Sequence, residues 1–182
     1  MVANVPKYSM MANVPKYSQS IQNRMNNDRG HLLERMIDQA CLYYKNCDIA
    51  MIEKTPEPFR VKGKNSDGTF VGWFTGMAQP DYKGTLAGGR AIAFEAKMTT
   101  TGKLKRTVIT ENQSVCLKYH HQMGAVVGVC CLINNTAGFV PWSVWKDMKL
   151  VFGHQHLTEE DLMKYQVPTI GYVDFLRISE RS

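Results

Sequence analysis

The amino-acid sequence predicts a single α/β domain, and three observations carry that expectation. Leu33, Met36, Ile37, Ala40 and Tyr44 recur at three- and four-residue intervals, the period of a helix with one buried face. Residues 125–133 form an unbroken apolar run, far too short to span a bilayer but right for a buried central strand. With 182 residues, 44% hydrophobic and 21% charged, the chain is long enough for one well-packed domain and short for two.

Taken in order, the chain opens on a repeat: residues 3–9 and 12–18 both read ANVPKYS. A repeat this short and polar builds no core, so residues 1–20 are expected to be a flexible tail, with a basic arm on DNA as the alternative, and residues 21–182 one domain. A helix is expected over residues 28–45 with Asp28 as its N-cap. Glu34 falls about 60° round that helix from Ile37, at the rim of the buried stripe, where a carboxylate reaches a neighbouring strand. Residues 49–54 read as a strand stopped by Pro56 and Pro58, with Lys54 at its tip.

Residues 60–77 are less conventional. Arg60, Lys62 and Lys64 precede Asn65-Ser66-Asp67-Gly68, and Phe70, Trp73 and Phe74 follow. That order suggests a basic hairpin or protrusion carrying aromatics, with a core strand in which Phe70, Trp73 and Phe74 pack as the competing reading. Residues 98–110 are Thr-rich, basic and without a period, and could track phosphates. A helix over residues 111–123, strands over 125–133 and 138–142, a short helix over 143–150 and a helix start at Thr158 with Asp161 complete the expectation.

The chemistry is concentrated in Pro80-Asp81 and, across Gly84, Gly88 and Gly89, in Ala93-Phe94-Glu95-Ala96-Lys97. Side chains alternate along a strand, so Glu95 and Lys97 share a face about 7 Å apart while Ile92, Phe94 and Ala96 turn to the core. The glycines suit a hairpin that returns Asp81 to face Glu95. Two carboxylates and an amine would then converge, which suits phosphodiester hydrolysis. Asp81 and Glu95 fit as ligands for a hard divalent cation, and Lys97 fits the orienting or deprotonation of water. The competing reading is a solvated Glu/Lys pair on an edge strand.

The Asp, Glu-x-Lys pattern behind a leading Pro-Asp resembles the PD-(D/E)xK nucleases of restriction-endonuclease fold. A narrower resemblance rests on Asp28-Arg29-Gly30, Leu33-Glu34, Ile37, Tyr43-Tyr44, Lys54-x-Pro56-x-Pro58, Pro80-Asp81-Tyr82-x-Gly84, Phe94-Glu95-Ala96-Lys97 and Gln113. In that order they resemble the RecU-type Holliday-junction resolvases. The position before Arg29 is Asp rather than Asn, and a Gly-Gly is reduced to Gly124, departures that suit a phage-type or divergent member. The resemblance implies a central mixed β-sheet flanked by helices, with a stalk over residues 60–77 entering the junction. It further implies Mg2+, with Mn2+ as a substitute, held by Asp81 and Glu95 with Glu34 assisting, and Lys54 and Gln113 close by. Four-way and branched DNA would be the substrate, nicked symmetrically by a homodimer in the bacterial cytoplasm alongside recombination proteins. Arg29, Arg60, Lys62, Lys64, Trp73, Lys103, Lys105 and Arg106 become DNA-binding candidates.

Charge placement agrees with a polyanion partner. The net charge of +6 is modest, but Lys54 to Lys64 and Lys97 to Arg106 flank the acidic trio. Lysines that merely keep loops soluble would look similar. The five cysteines lack C-x-x-C spacing and read as free, mostly buried thiols in a reducing compartment, and no apolar signal core leads the chain outward. His120-His121 and His154-x-His156 lack cysteine partners at finger spacing, so structural zinc is not expected. Nor is there a Gly-x-x-x-x-Gly-Lys loop or a Gly-x-Ser-x-Gly elbow. A junction-binding protein without catalysis and a restriction or repair nuclease of the same fold remain as alternatives.

Overall fold

A computed structural model of the chain describes residues 16–56, 59–74 and 79–180. Helix α1 (Lys16–Asn46) leads into β1 (Ala50–Lys54), the ribbon strands β2 (Phe59–Lys64) and β3 (Phe70–Phe74), then β4 (Tyr82–Leu86) and β5 (Ala91–Thr99). Strand β6 (Lys103–Lys105) and a 3-10 turn (Arg106–Val108) precede α2 (Glu111–Gln122), β7 (Val126–Ile133) and β8 (Thr136–Pro141). Helices α3 (Trp142–Lys146) and α4 (Met148–Phe152), strand β9 (His156–Thr158), helix α5 (Glu159–Met163) and a 3-10 helix (Phe175–Glu180) finish the chain.

The expected mixed sheet is present, in the order β1-β4-β5-β7-β8, with β5 and β7 parallel and the other neighbours antiparallel. Alternation sorts its side chains onto two cores. Ile52, Tyr82, Ile92, Phe94 and Cys130 pack under Leu33, Ile37, Ala40 and Tyr44 of α1. Val127, Val129, Cys131 and Ile133 pack with Leu117 of α2 and with Trp142 and Trp145 of α3. Two covered faces explain why β7 reads as one continuous apolar run.

Three expectations are corrected. Asp28 lies inside α1 and not at its N-cap, because the helix begins at Lys16, within the stretch expected as tail. The first fifteen residues of that tail lie outside the described residues. Residues 98–110 contain β6, which pairs with β9 about fifty positions on, a partner that no local period announces. The helix expected over residues 143–150 is two short helices broken at Asp147. Strand β5 is the middle strand of the sheet, which goes against the competing edge-strand reading of Glu95 and Lys97.

The thiols are free as expected, with Cys41, Cys130 and Cys131 buried, Cys116 half-buried and Cys47 exposed. Among the described residues no helix is long and apolar enough to cross a membrane.

Candidate active site

The site is made by the β4–β5 hairpin. Its turn uses Gly88 and Gly89 at φ of 86° and 90°, which only glycine adopts without strain. Tyr82 pairs with Phe94, so continuing the antiparallel register sets Asp81 opposite Glu95. Gly84 holds the other side of β4 tight: a Cβ there would meet the Met51 carbonyl oxygen of β1. The Thr55 N–H donates to the Asp81 carbonyl at 2.8 Å and pins the strand tip on which Asp81 sits.

Three side chains converge as expected. Lys97 Nζ donates to Glu95 Oε2 at 2.9 Å and to Asp81 Oδ2 at 3.4 Å, so one ammonium bridges both carboxylates. Asp81 Oδ2 is fixed by the Ala96 N–H at 2.9 Å. Gln113, in the first turn of α2, donates from Nε2 to Glu95 Oε2 at 2.6 Å. Glu95 is fully buried and, among the described residues, its Oε2 has two donors and its Oε1 has none. The solvated edge-strand reading is thereby excluded.

An orphaned buried carboxylate oxygen costs of order 1–3 kcal/mol or more, which makes it a group waiting for a partner. Burial pushes the Glu95 carboxyl from its ordinary 4.5 up to about 7; the Lys97 ammonium pulls it down and the Asp81 carboxylate adds to the rise. Burial also depresses the Lys97 amine, but Glu95 and Asp81 outweigh it and hold the amine above its ordinary value. Lys97 is therefore an ammonium at neutral pH, a donor and not a base. Two carboxylates, one with a naked oxygen, fit a hard divalent cation that draws its remaining ligands from water and substrate. Among the described residues no third acidic, histidine or cysteine side chain completes a protein-only cage.

Glu34 and Lys54 are brought to each other instead. Lys54 Nζ lies 2.9 Å from Glu34 Oε2, and His31 Nδ1 lies 3.5 Å from the same oxygen. Because Lys54 follows Ile52 by two, it projects to the α1 face of the sheet, whereas Glu95 shares the α2 face with Val129. On the α1 face Tyr82 Oη also donates to Asp38 Oδ1 at 2.9 Å, a bond sequence reasoning did not anticipate. Neither carries a signal beyond an ordinary helix acid and strand tyrosine.

Thr110 was also missed, although its spacing to Gln113 marks a capping box. Its Oγ1 accepts from the Gln113 N–H at 3.3 Å, while Gln113 Oε1 accepts from the Thr110 N–H at 3.0 Å. Gln113 thus locks the start of α2 and orients Glu95 with one side chain. Gln113→Ala is expected to cost about 1 kcal/mol of stability and to lower nicking roughly 10- to 100-fold, read from a denaturant melt and single-turnover rates. Loss of stability with an unchanged rate would leave it a cap only.

The basic candidates lie elsewhere. Strands β2 and β3 form a separate two-stranded ribbon in which Arg60 pairs with Trp73, and Arg60, Lys62, Lys64, Phe70 and Trp73 are exposed. The Lys64 ammonium lies over the Phe70 ring, 5.6 Å from its centroid. The side chains of Phe74 and Arg29 lie outside those described. Lys103 and Lys105 are exposed on β6, and Arg106 is half-buried in the 3-10 turn.

The family model described as Recombination protein U matches residues 28–165. The chain is 29% identical over 173 residues to the Holliday junction resolvase RecU of Bacillus pumilus, covering 85% of this chain and 81% of that one. A solved structure of Hjc, a Holliday junction resolvase from the hyperthermophile Archaeoglobus fulgidus, aligns with 64% of this chain and 75% of its own at 17% identity and a TM-score of 0.40. The span matched by the family model takes in Glu34, Lys54, Asp81, Glu95, Lys97 and Gln113, and on that match the chain belongs to the Recombination protein U family.

Proposed function

We propose that this chain is a metal-dependent endonuclease that resolves Holliday junctions by phosphodiester hydrolysis, acting on DNA in the cytoplasm. The observation that carries the reading is the unpartnered Glu95 Oε1, buried beside Asp81 under a shared lysine. A decayed or merely binding site has no reason to keep an ionisable group at that cost.

Asp81 and Glu95 would hold Mg2+, or Mn2+ in its place, and the ion when bound supplies charge stabilisation at the scissile phosphate and acidifies water. The protein's own part is positional. Gln113 and Lys97 fix Glu95 through Oε2 and leave Oε1 as the oxygen that would hold the ion. Lys97, kept protonated by its two neighbours, donates to and orients the attacking water or a phosphate oxygen. Glu34 holds Lys54 at the tip of β1, where its charge meets the DNA backbone next to the site. Two such sites related by a twofold axis are needed to nick opposite strands, so the acting species is a homodimer.

Junction choice is assigned to the β2–β3 ribbon. It leaves the sheet after Lys54 and returns at Asp81, so its root is stitched to the site by the Thr55–Asp81 bond. Exposed Trp73 and Phe70 offer stacking faces for unpaired bases, worth roughly 1–3 kcal/mol each. Deleting residues 61–76 is expected to weaken four-way-junction binding at least about tenfold while sparing linear duplex; equal loss on both would count against the ribbon. The reading as a whole is tested by cleavage of a synthetic junction and a matched duplex with and without Mg2+. Metal-dependent, paired nicks in the junction are expected, and equal cutting of the duplex would replace it with a general nuclease.

A further inference from the structure

A second basic feature lies outside this constellation. A cavity of about 440 Å3 opens between the 3-10 turn after β6 and the α3–α4 corner, lined by Arg106, Lys146, Asp147, Lys149, Leu150 and Gln155. Its walls are tied together: the Arg106 N–H donates to the Gln155 carbonyl at 3.0 Å, and β6 pairs with β9 just beyond. Three cations face one carboxylate. Lys146 Nζ lies 3.5 Å from Asp147 Oδ2, and among the described residues Arg106 and Lys149 have no ion-pair partner. Cations gathered round a hollow repel one another, and a phosphate relieves that repulsion while releasing counterions from the nucleic acid.

The pocket's place along the chain gives it a relation to the site. The segment carrying Arg106 runs from Lys97 to Gln113, both of which hydrogen-bond Glu95, so it hangs from the site at both ends. Exposed Lys103 and Lys105 continue the basic surface along β6. We propose that this pocket seats a second backbone phosphate of the bound DNA, outside the phosphodiester that is cut, with Lys146 and Lys149 as its unassigned ligands beside Arg106. The inference rests on the nuclease reading above and adds a subsite to it.

The test is the salt dependence of junction binding, measured on the full chain with labelled four-way junction and with duplex. Lys146→Gln/Lys149→Gln is expected to lower the slope of log affinity against log salt by about one for each lysine, on both DNAs alike. Asp147→Asn, which removes the pocket's one negative charge and no capping hydrogen bond, is expected to tighten binding. Lys45→Gln, at the end of α1, removes one of the same charges outside the pocket and should leave the slope as it was. Wild-type binding and nicking with an unaltered slope in the double lysine variant would overturn the subsite alone. No junction binding by the wild type would overturn the nuclease reading and the subsite with it. Titration with inorganic phosphate separates the two sources of the ligand: sub-millimolar binding with unaltered DNA slopes would make this a small-anion site and overturn the assignment to DNA.

Discussion

Glu95→Ala and, separately, Asp81→Ala are expected to reduce nicking of a four-way junction on the order of 10³-fold or more, while junction binding survives or tightens. The two effects part because the carboxylates do opposite things to DNA. With a cation bound they would help neutralise the reacting phosphate; without one they would repel it. Removing either one destroys the two-carboxylate site and also relieves the repulsion. A mobility-shift assay without metal and a cleavage assay with it, on the same junction, read the two arms. Glu95→Gln is the companion variant, because in Glu95→Ala Lys97 loses its closest partner, at 2.9 Å, and keeps only the longer bond to Asp81, so a structural effect must be separated from a catalytic one. Undiminished nicking by both Glu95 variants would end the assignment of the site.

Much of this site was legible in the chain because its geometry is local. Glu95 and Lys97 are two apart on a strand, and Asp81 is brought back by a hairpin with two positive-φ glycines. Alternation and turn chemistry suffice for both. What local pattern could not supply was the depth of the site. Apolar Ile92 and Phe94 alternating with Glu95 and Lys97 describe a half-exposed strand equally well. Only the parallel pairing of β5 with β7, thirty-odd residues downstream, turns it into the middle of a sheet. The same limit hid β6, whose three residues close on β9, and the Glu34–Lys54 pair, which joins a helix to a strand tip. Gln113 was placed near the site by family likeness alone; the contact that explains it passes through the capping box of α2.

The depth of Glu95 has a thermodynamic consequence that can be measured without any DNA. Its carboxyl holds a proton up to about pH 7 in the folded metal-free protein, against an ordinary 4.5, chiefly because burial disfavours the charge. Between those values the folded chain binds more protons than the unfolded one, so this group's contribution to stability falls as pH rises. The fall begins above about pH 4.5 and is complete once Glu95 is ionised in both states, above about pH 7. It amounts to a loss on the order of 3 kcal/mol, or roughly 6 to 12 °C in Tm. Glu95→Gln cannot ionise and is expected to lack this slope, which assigns the slope to Glu95. A divalent cation prefers the ionised carboxylate and displaces its proton, so added Mg2+ is expected to raise Tm more at pH 8 than at pH 6. Scanning calorimetry of the wild type and Glu95→Gln at both pH values, with and without Mg2+, reads all of this. A wild type as indifferent to pH as the Gln variant would show that Glu95 is ionised and already satisfied in the free protein, and its lone oxygen would then be no reason to expect a metal there.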